Sequence, residues 1–218
     1  GAFNDFYIHV IDHCCWMKDA WPVKAQGVGG RHYRTDKSGA PAVDQNFDAY
    51  SVEYTFADGS KLLADGRCIA GCENIYSSYA LGTKGSAIVS KHGDCGAPSS
   101  TYKGLNLDSA QRTWESEVPR DERNPYQNEW NDLMEAILND QPYNEVDYGV
   151  RASLVSSLGR KASHTGVEIT LEDLLNDEVE YAPGADKFTD DSPAPVQADA
   201  DGKYPIPQPG IVTDREYG

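Results

Sequence analysis

FDAYSVEYTF, residues Phe47–Phe56, decides the fold. It alternates strictly. Phe47, Ala49, Ser51, Glu53 and Thr55 fall on one side, and Tyr50, Val52, Tyr54 and Phe56 on the other. A period of two is the mark of a strand with two unlike faces. Ala57-Asp58-Gly59-Ser60 follows, and Asp-Gly is a strong tight-hairpin signal. KLLADGRCIAG (Lys61–Gly71) is therefore the return strand. The Tyr50–Phe56 side is apolar and opposes a mixed side. One sheet face is expected to be partly apolar and available for association.

Working outward, residues 23–57 read as strands. Further strands are predicted at Asn74–Ala80 and Ser86–Ser90, around the turn Gly82-Thr83-Lys84-Gly85, and near Thr101–Tyr102 and Arg112–Trp114. Together they predict an antiparallel meander of five or more strands. Upstream, residues 7–19 read as a helix with Ile8, Ile11 and Cys15 on one face and Pro22 beyond its end. Downstream the period changes. NEWNDLMEAILND (Asn128–Asp140) carries Trp130, Leu133, Met134, Ile137 and Leu138 on a helical stripe. A second helix runs from about Val146 to His164, rich in small residues that let it approach a neighbour closely, and Gly166 fits its stop. Thr170-Leu-Glu-Asp173 opens a short third helix with a capping-box pattern. Helix, strands, then helices predicts an α+β fold: an open, predominantly antiparallel sheet with helices packed on one face. One such domain is expected over residues 1–176. A Pro/Asp-rich extended tail, 177–218, either wraps the domain, reaches a partner subunit or hangs free.

Composition removes several functions. Of 218 residues, 19 are Lys or Arg and 35 are Asp or Glu, giving a net charge of −16. A duplex-binding surface needs clustered bases, so no nucleic-acid role is expected. No apolar run approaches the ~20 residues that span a bilayer, so no membrane role is expected either. The chain begins at Gly1 without initiator Met or signal peptide, and it reads as the later part of a longer protein. Five cysteines, an odd number in a domain of this size, argue against a disulfide framework and for buried free thiols.

The chemistry concentrates in NDFYIHVIDHCCW (Asn4–Trp16). On a helical wheel Asp5, His9, Asp12, His13 and Trp16 share a narrow arc. An acid one turn from an imidazole orients the ring and supports its charged form, as an acid/base catalyst needs. An ordinary polar stripe on a surface helix has the same spacing. A metal reading uses His9 and His13 with Asp5 or Asp12, but Val10 stands where the zincin pattern has Glu. A zinc reading uses Cys68, Cys72, His92 and Cys95. Strand geometry holds the first two ~13 Å apart unless Ala70-Gly71 turns the chain. Trp16 and Trp130 read as core or interface aromatics. GVGG (Gly27–Gly30) lacks the spacing and the following helix of a dinucleotide loop. Arg67, on a strand near glycine-rich bends, fits a substrate hydroxyl or carboxylate, or a salt-bridged sheet residue.

Several segments together resemble the Gfo/Idh/MocA oxidoreductases: VGGRHYRT (Val28–Thr35), RCIAGCEN (Arg67–Asn74), LGTKGSA (Leu81–Ala87), NPYQNEWNDLMEAILNDQPYNE (Asn124–Glu145) and SLVSSLGRKASHTGVEIT (Ser153–Thr170). The tail DKFTDDSPAPVQADADGKYPIPQPG resembles the end of one bacterial branch. The resemblance implies the C-terminal α+β domain of an NAD(P)-dependent oxidoreductase acting on a CH–OH group of a sugar or polyol. The NAD or NADP would be bound mainly by an N-terminal Rossmann domain absent from this chain, so the chain alone is expected to be inactive. By the same resemblance, Asp5 and His9 match the family's Asp-x-x-x-His motif. His9 would be the catalytic acid/base and Asp5 its orienting acid, with Arg67 and His13 lining the substrate pocket. The sheet would build dimers or tetramers. The compartment, cytoplasmic or periplasmic, stays open. A non-catalytic sugar-binding or assembly module of the same fold is the alternative, and a zinc protein the more distant one.

Overall fold

The structure, a computed structural model, describes residues 1–32, 46–91 and 99–217. In chain order its main elements are α1 (Ile8–Lys18), β1 (Pro22–Gly30), β2 (Ala49–Phe56), β3 (Lys61–Arg67), β4 (Ser78–Gly82), β5 (Gly85–Ser90), β6 (Ser100–Lys103), β7 (Arg112–Glu115), α2 (Pro125–Leu138), α3 (Val146–Thr165), β8 (Ile169–Thr170) and α4 (Leu171–Leu175). A π-helical turn, Phe3–Tyr7, leads into α1. Among the described residues no helix is long and apolar enough to cross a membrane.

The α+β class is as expected. The meander, however, is divided between two four-stranded antiparallel sheets, ordered β3-β2-β1-β8 and β4-β5-β6-β7. The link from β3 to β4 is no hairpin. Cys72 N–H bonds back to Ile69 O across Gly71, which takes φ 85°, and irregular chain follows before β4. The chain accordingly forms two compact units.

The first unit comprises Gly1–Asp5, Pro22–Cys72 and Leu154–Gly218. Its hairpin closes as the sequence predicts: Phe56 N–H bonds Ser60 O at 3.0 Å, and Gly59 sits at φ 84°. Tyr50, Val52, Tyr54 and Phe56 are all buried. What covers them is the C-terminal half of α3, where Val155, Leu158 and Ala162 are also buried. Tyr54 donates its hydroxyl to Val155 O at 3.0 Å. A Cβ at Gly159 would lie 2.1 Å from Tyr54 Oη, and one at Gly27 would lie 2.4 Å from Ser163 Oγ. The small residues thus permit the close approach expected of them. The apolar face of this sheet is therefore the one closed by the chain's own helix. The outer face is polar. Ser51 bonds Asp65, and Glu53 bonds Gln26 and Lys61, with Val28 and Leu63 as its exposed apolar residues. Thr170 and Asp173 form the full capping box that opens α4.

The segment after α4 has one 3-10 turn, Ala185–Lys187, and otherwise irregular backbone. Its far end is tied into the first unit. Gly210 N–H bonds Thr165 O at 2.9 Å. Glu216 is 1% exposed and meets Arg160 at 3.0 Å, His164 Nδ1 at 2.6 Å and the Tyr181 hydroxyl at 2.7 Å. The other ring nitrogen of His164 pairs with the Tyr50 hydroxyl at 2.8 Å. Burial alone would push the Glu216 carboxyl up. The hydrogen bond from His164 and the charge of Arg160 outweigh it and hold the group at about 2.

The second unit comprises Phe6–Trp21 and Glu73–Ser153. Here α1 packs on β4 and β5, and Ser78 donates its hydroxyl to Val10 O at 3.1 Å. The buried residues of this sheet are small and polar: Ser78, Ser86, Ser90 and Ser100, with Tyr102. Asn124 caps α2 through Gln127 N–H, and Pro125 fills its first turn. Within α2 only Ala136 is buried; Trp130, Met134, Ile137 and Leu138 are exposed. The stripe exists as the sequence predicts, but nothing among the described residues covers it. Trp130 and Trp16 are exposed and belong to no core.

Candidate functional site

Helix α1 positions the site. Ile11, Cys14 and Cys15 are buried, and helical geometry then turns His9 and Trp16 outward and leaves Asp12 and His13 half-buried. The helix stops where Asp19 takes the left-handed conformation at φ 54°. Burial pushes the Cys14 thiol up and the Cys15 thiol up to about 12. Both are packing groups, as the sequence suggests, and poor nucleophiles.

The polar side of α1 meets α3 within the second unit. Tyr148 donates its hydroxyl to Asp12 Oδ1 at 2.9 Å. Trp21 holds the Tyr148 ring edge-on, with centroids 5.1 Å apart. Burial raises the Asp12 carboxyl; the Tyr148 hydrogen bond and the charges of His13 and His9 oppose it without cancelling it. Burial lowers His13, against the pull of Asp12, so its imidazole is neutral at pH 7. His13 Nδ1 is buried and makes no hydrogen bond. The result is a carboxyl group hydrogen-bonded to a phenol, with two imidazoles of the same helix within electrostatic reach. His9, the exposed member, is open to a reacting molecule.

The structure thus gathers His9 and His13 around Asp12. Asp5 is exposed on the π turn, and Arg67 is exposed at the end of β3 opposite Ala49; both belong to the first unit. Tyr148 escaped the sequence reading. It lies 136 positions from its partner, and a lone tyrosine at a helix start carries no spacing signal.

The zinc reading falls partly outside the described residues, where His92 and Cys95 lie. Cys68 and Cys72 are free and exposed, not buried as expected, because the turn at Gly71 leaves them on irregular chain beyond the end of β3. Among the described residues no cluster of three or more His, Cys, Asp or Glu is placed to hold a metal. An open cavity of about 410 Å³ in the first unit is lined by Asn46, Tyr181, Tyr204, Tyr217 and Ala194–Val196 of the tail. None of the sequence-selected site residues lines it.

The GVGG stretch lies inside β1, paired along β2. The space a Cβ would need at Gly27 and Gly29 is taken by Ser163 and Phe47, not left open for a phosphate. GVGG is thus part of a paired strand, not a turn into a helix.

No protein-family model and no curated protein matches the chain. Solved structures do. One is an aldose-aldose oxidoreductase from Caulobacter crescentus complexed with glycerol (TM-score 0.51, 17% identity, 75% of this chain and 45% of that one). Another is GenD2 from gentamicin A biosynthesis in complex with NAD (0.51, 16%, 78% and 48%). A third is the super-repressor mutant of Gal80p from Saccharomyces cerevisiae (0.52, 10%, 77% and 49%). The chain spans about half the length of these proteins. At such identities the likeness is one of fold: an α+β domain that accounts for about half of each of these proteins. More particularly, the fold is that of the Gfo/Idh/MocA C-terminal domain, and on fold the resemblance seen in the sequence is borne out.

Proposed function

We propose that this chain is the substrate-binding and oligomerisation domain of an NAD(P)-dependent oxidoreductase acting on a CH–OH group of a sugar, polyol or related carbohydrate. The observation that carries the reading is the shared fold over about half of each neighbour, with an Asp-x-x-x-His sequence on its first helical segment. Oxidising an alcohol carbon requires its hydroxyl proton to leave, and His9, exposed on α1, is the group that takes it. Asp5 orients or tunes His9. Arg67 and His13 serve substrate binding. The nicotinamide nucleotide is held by residues outside those described, so the chain supplies proton handling and recognition. Alone it is inactive. Assembly into dimers or tetramers uses the open outer face of the first sheet, where Val28 and Leu63 are exposed.

The Gal80p likeness favours a second reading, a regulatory or sugar-binding module of the same fold without catalysis. The test is turnover of the whole protein against a sugar and polyol panel with NAD⁺ and with NADP⁺. His9→Ala should lower kcat by roughly 10²–10⁴-fold. A wild-type protein that binds sugars but reduces neither nucleotide would leave the regulatory reading standing.

A further inference from the structure

We propose that Tyr148 is a positioning residue of the His9 site: by donating its hydroxyl to Asp12, it fixes that carboxylate beside the two histidines of α1. The proposal rests on the reading of His9 as the acid/base. It adds a second carboxylate to the site, one set by α3 as well as by α1.

The geometry carries it. Asp12 is one helical turn from His9 and adjacent to His13, so a carboxylate on this side of α1 acts on both rings. A short aspartate side chain left to itself turns to the best-solvated rotamer. Here one oxygen is engaged by Tyr148 at 2.9 Å, which holds the carboxylate on the side of α1 that carries His9 and His13. Tyr148 is held in turn by the edge of Trp21. The remaining ionisable groups acting on its phenol are Cys15 and Glu145. Burial pushes the Cys15 thiol up to about 12, which leaves Asp12 and Glu145 as the two carboxyl groups that act on the phenol. Nothing in this arrangement requires the nucleotide or the substrate, so it exists in the protein at rest.

Carboxyl and imidazole titrations by NMR test it in the protein as it stands. Tyr148→Phe keeps the ring against Trp21 and removes only the hydroxyl. The Asp12 carboxyl then loses a bond that lowers it while its burial remains, so its midpoint moves up. Asp12→Asn tests the bond from the other side. The His13 midpoint moves further down, and the Tyr148 phenol titrates at lower pH. If Tyr148→Phe folds and the Asp12 midpoint stays in place, the assignment is overturned. If Tyr148→Phe does not fold, an unmoved Tyr148 phenol in Asp12→Asn overturns it instead. These titrations use no substrate. Their failure leaves the oxidoreductase reading intact, whereas full turnover by His9→Ala would sink that reading and leave the Tyr148–Asp12 bond untouched.

Discussion

The sheet of the first unit buries Tyr50, Val52, Tyr54 and Phe56 beneath α3; the sheet of the second buries Ser78, Ser86, Ser90 and Ser100. Many large apolar side chains of the second unit, Trp114, Trp130, Ile137 and Leu138 among them, lie outside, although Ile11 and Tyr102 are buried. Four aromatic or branched side chains each contribute about 1.5–3 kcal/mol of burial. A serine contributes little apolar area and, where its hydroxyl is paired as at Ser78 and Ser100, a net hydrogen bond worth about 1 kcal/mol. Stability is therefore concentrated in the first unit, together with a buried charged cluster. The second unit carries the titratable groups of the candidate site on a thinner core.

The largest effect that separates the two units is expected at Glu216. Glu216→Ala leaves Arg160 charged and largely buried without its partner, which costs roughly 3–5 kcal/mol in urea unfolding. The pH dependence follows the same group. Its folded pKa lies near 2, below the ordinary 4.5, so its contribution is complete above about pH 4.5 and is lost as pH falls towards 2. The stability gap between wild type and Glu216→Gln should narrow over that window. An equal loss at every pH would remove the cluster from the account. A smaller effect is expected at Gly159, where Ala places a methyl group 2.1 Å from the Tyr54 hydroxyl. Overpacking of this kind costs about 1–3 kcal/mol, and hydrogen exchange should report it in β2 and α3 first. The smallest is expected in α2. Trp130 is 61% exposed, so Trp130→Ser should change stability by no more than about 0.5 kcal/mol. A loss above 2 kcal/mol would mean that the stripe is covered in solution, and the contrast between the units would fail.

Much of this was legible because it is local. The alternation in Phe47–Phe56, the Asp-Gly turn, the Thr170–Asp173 box and both long helices each announce themselves within a few residues. The two-sheet division was not legible, since strand periodicity does not say which strand comes next to which. The buried faces were half legible. The apolar side of β2 was plain, but not that the small-residue half of α3 would close it. The site was legible only in α1. Glu216 and His164 are 52 positions apart, and Asp12 and Tyr148 are 136 apart. Such pairs are made by folding and leave no mark on local spacing.

The two thiols inside α1 have one more consequence. Cys14 and Cys15 are shielded and burial disfavours the thiolate of each, while Cys68 and Cys72 are open to solvent. A thiol-reactive dye should mark the exposed pair at once and the helix pair only when α1 lifts from its sheet. The slow phase of labelling is then a clock for that opening, built into the helix that carries His9 and needing no substrate to run.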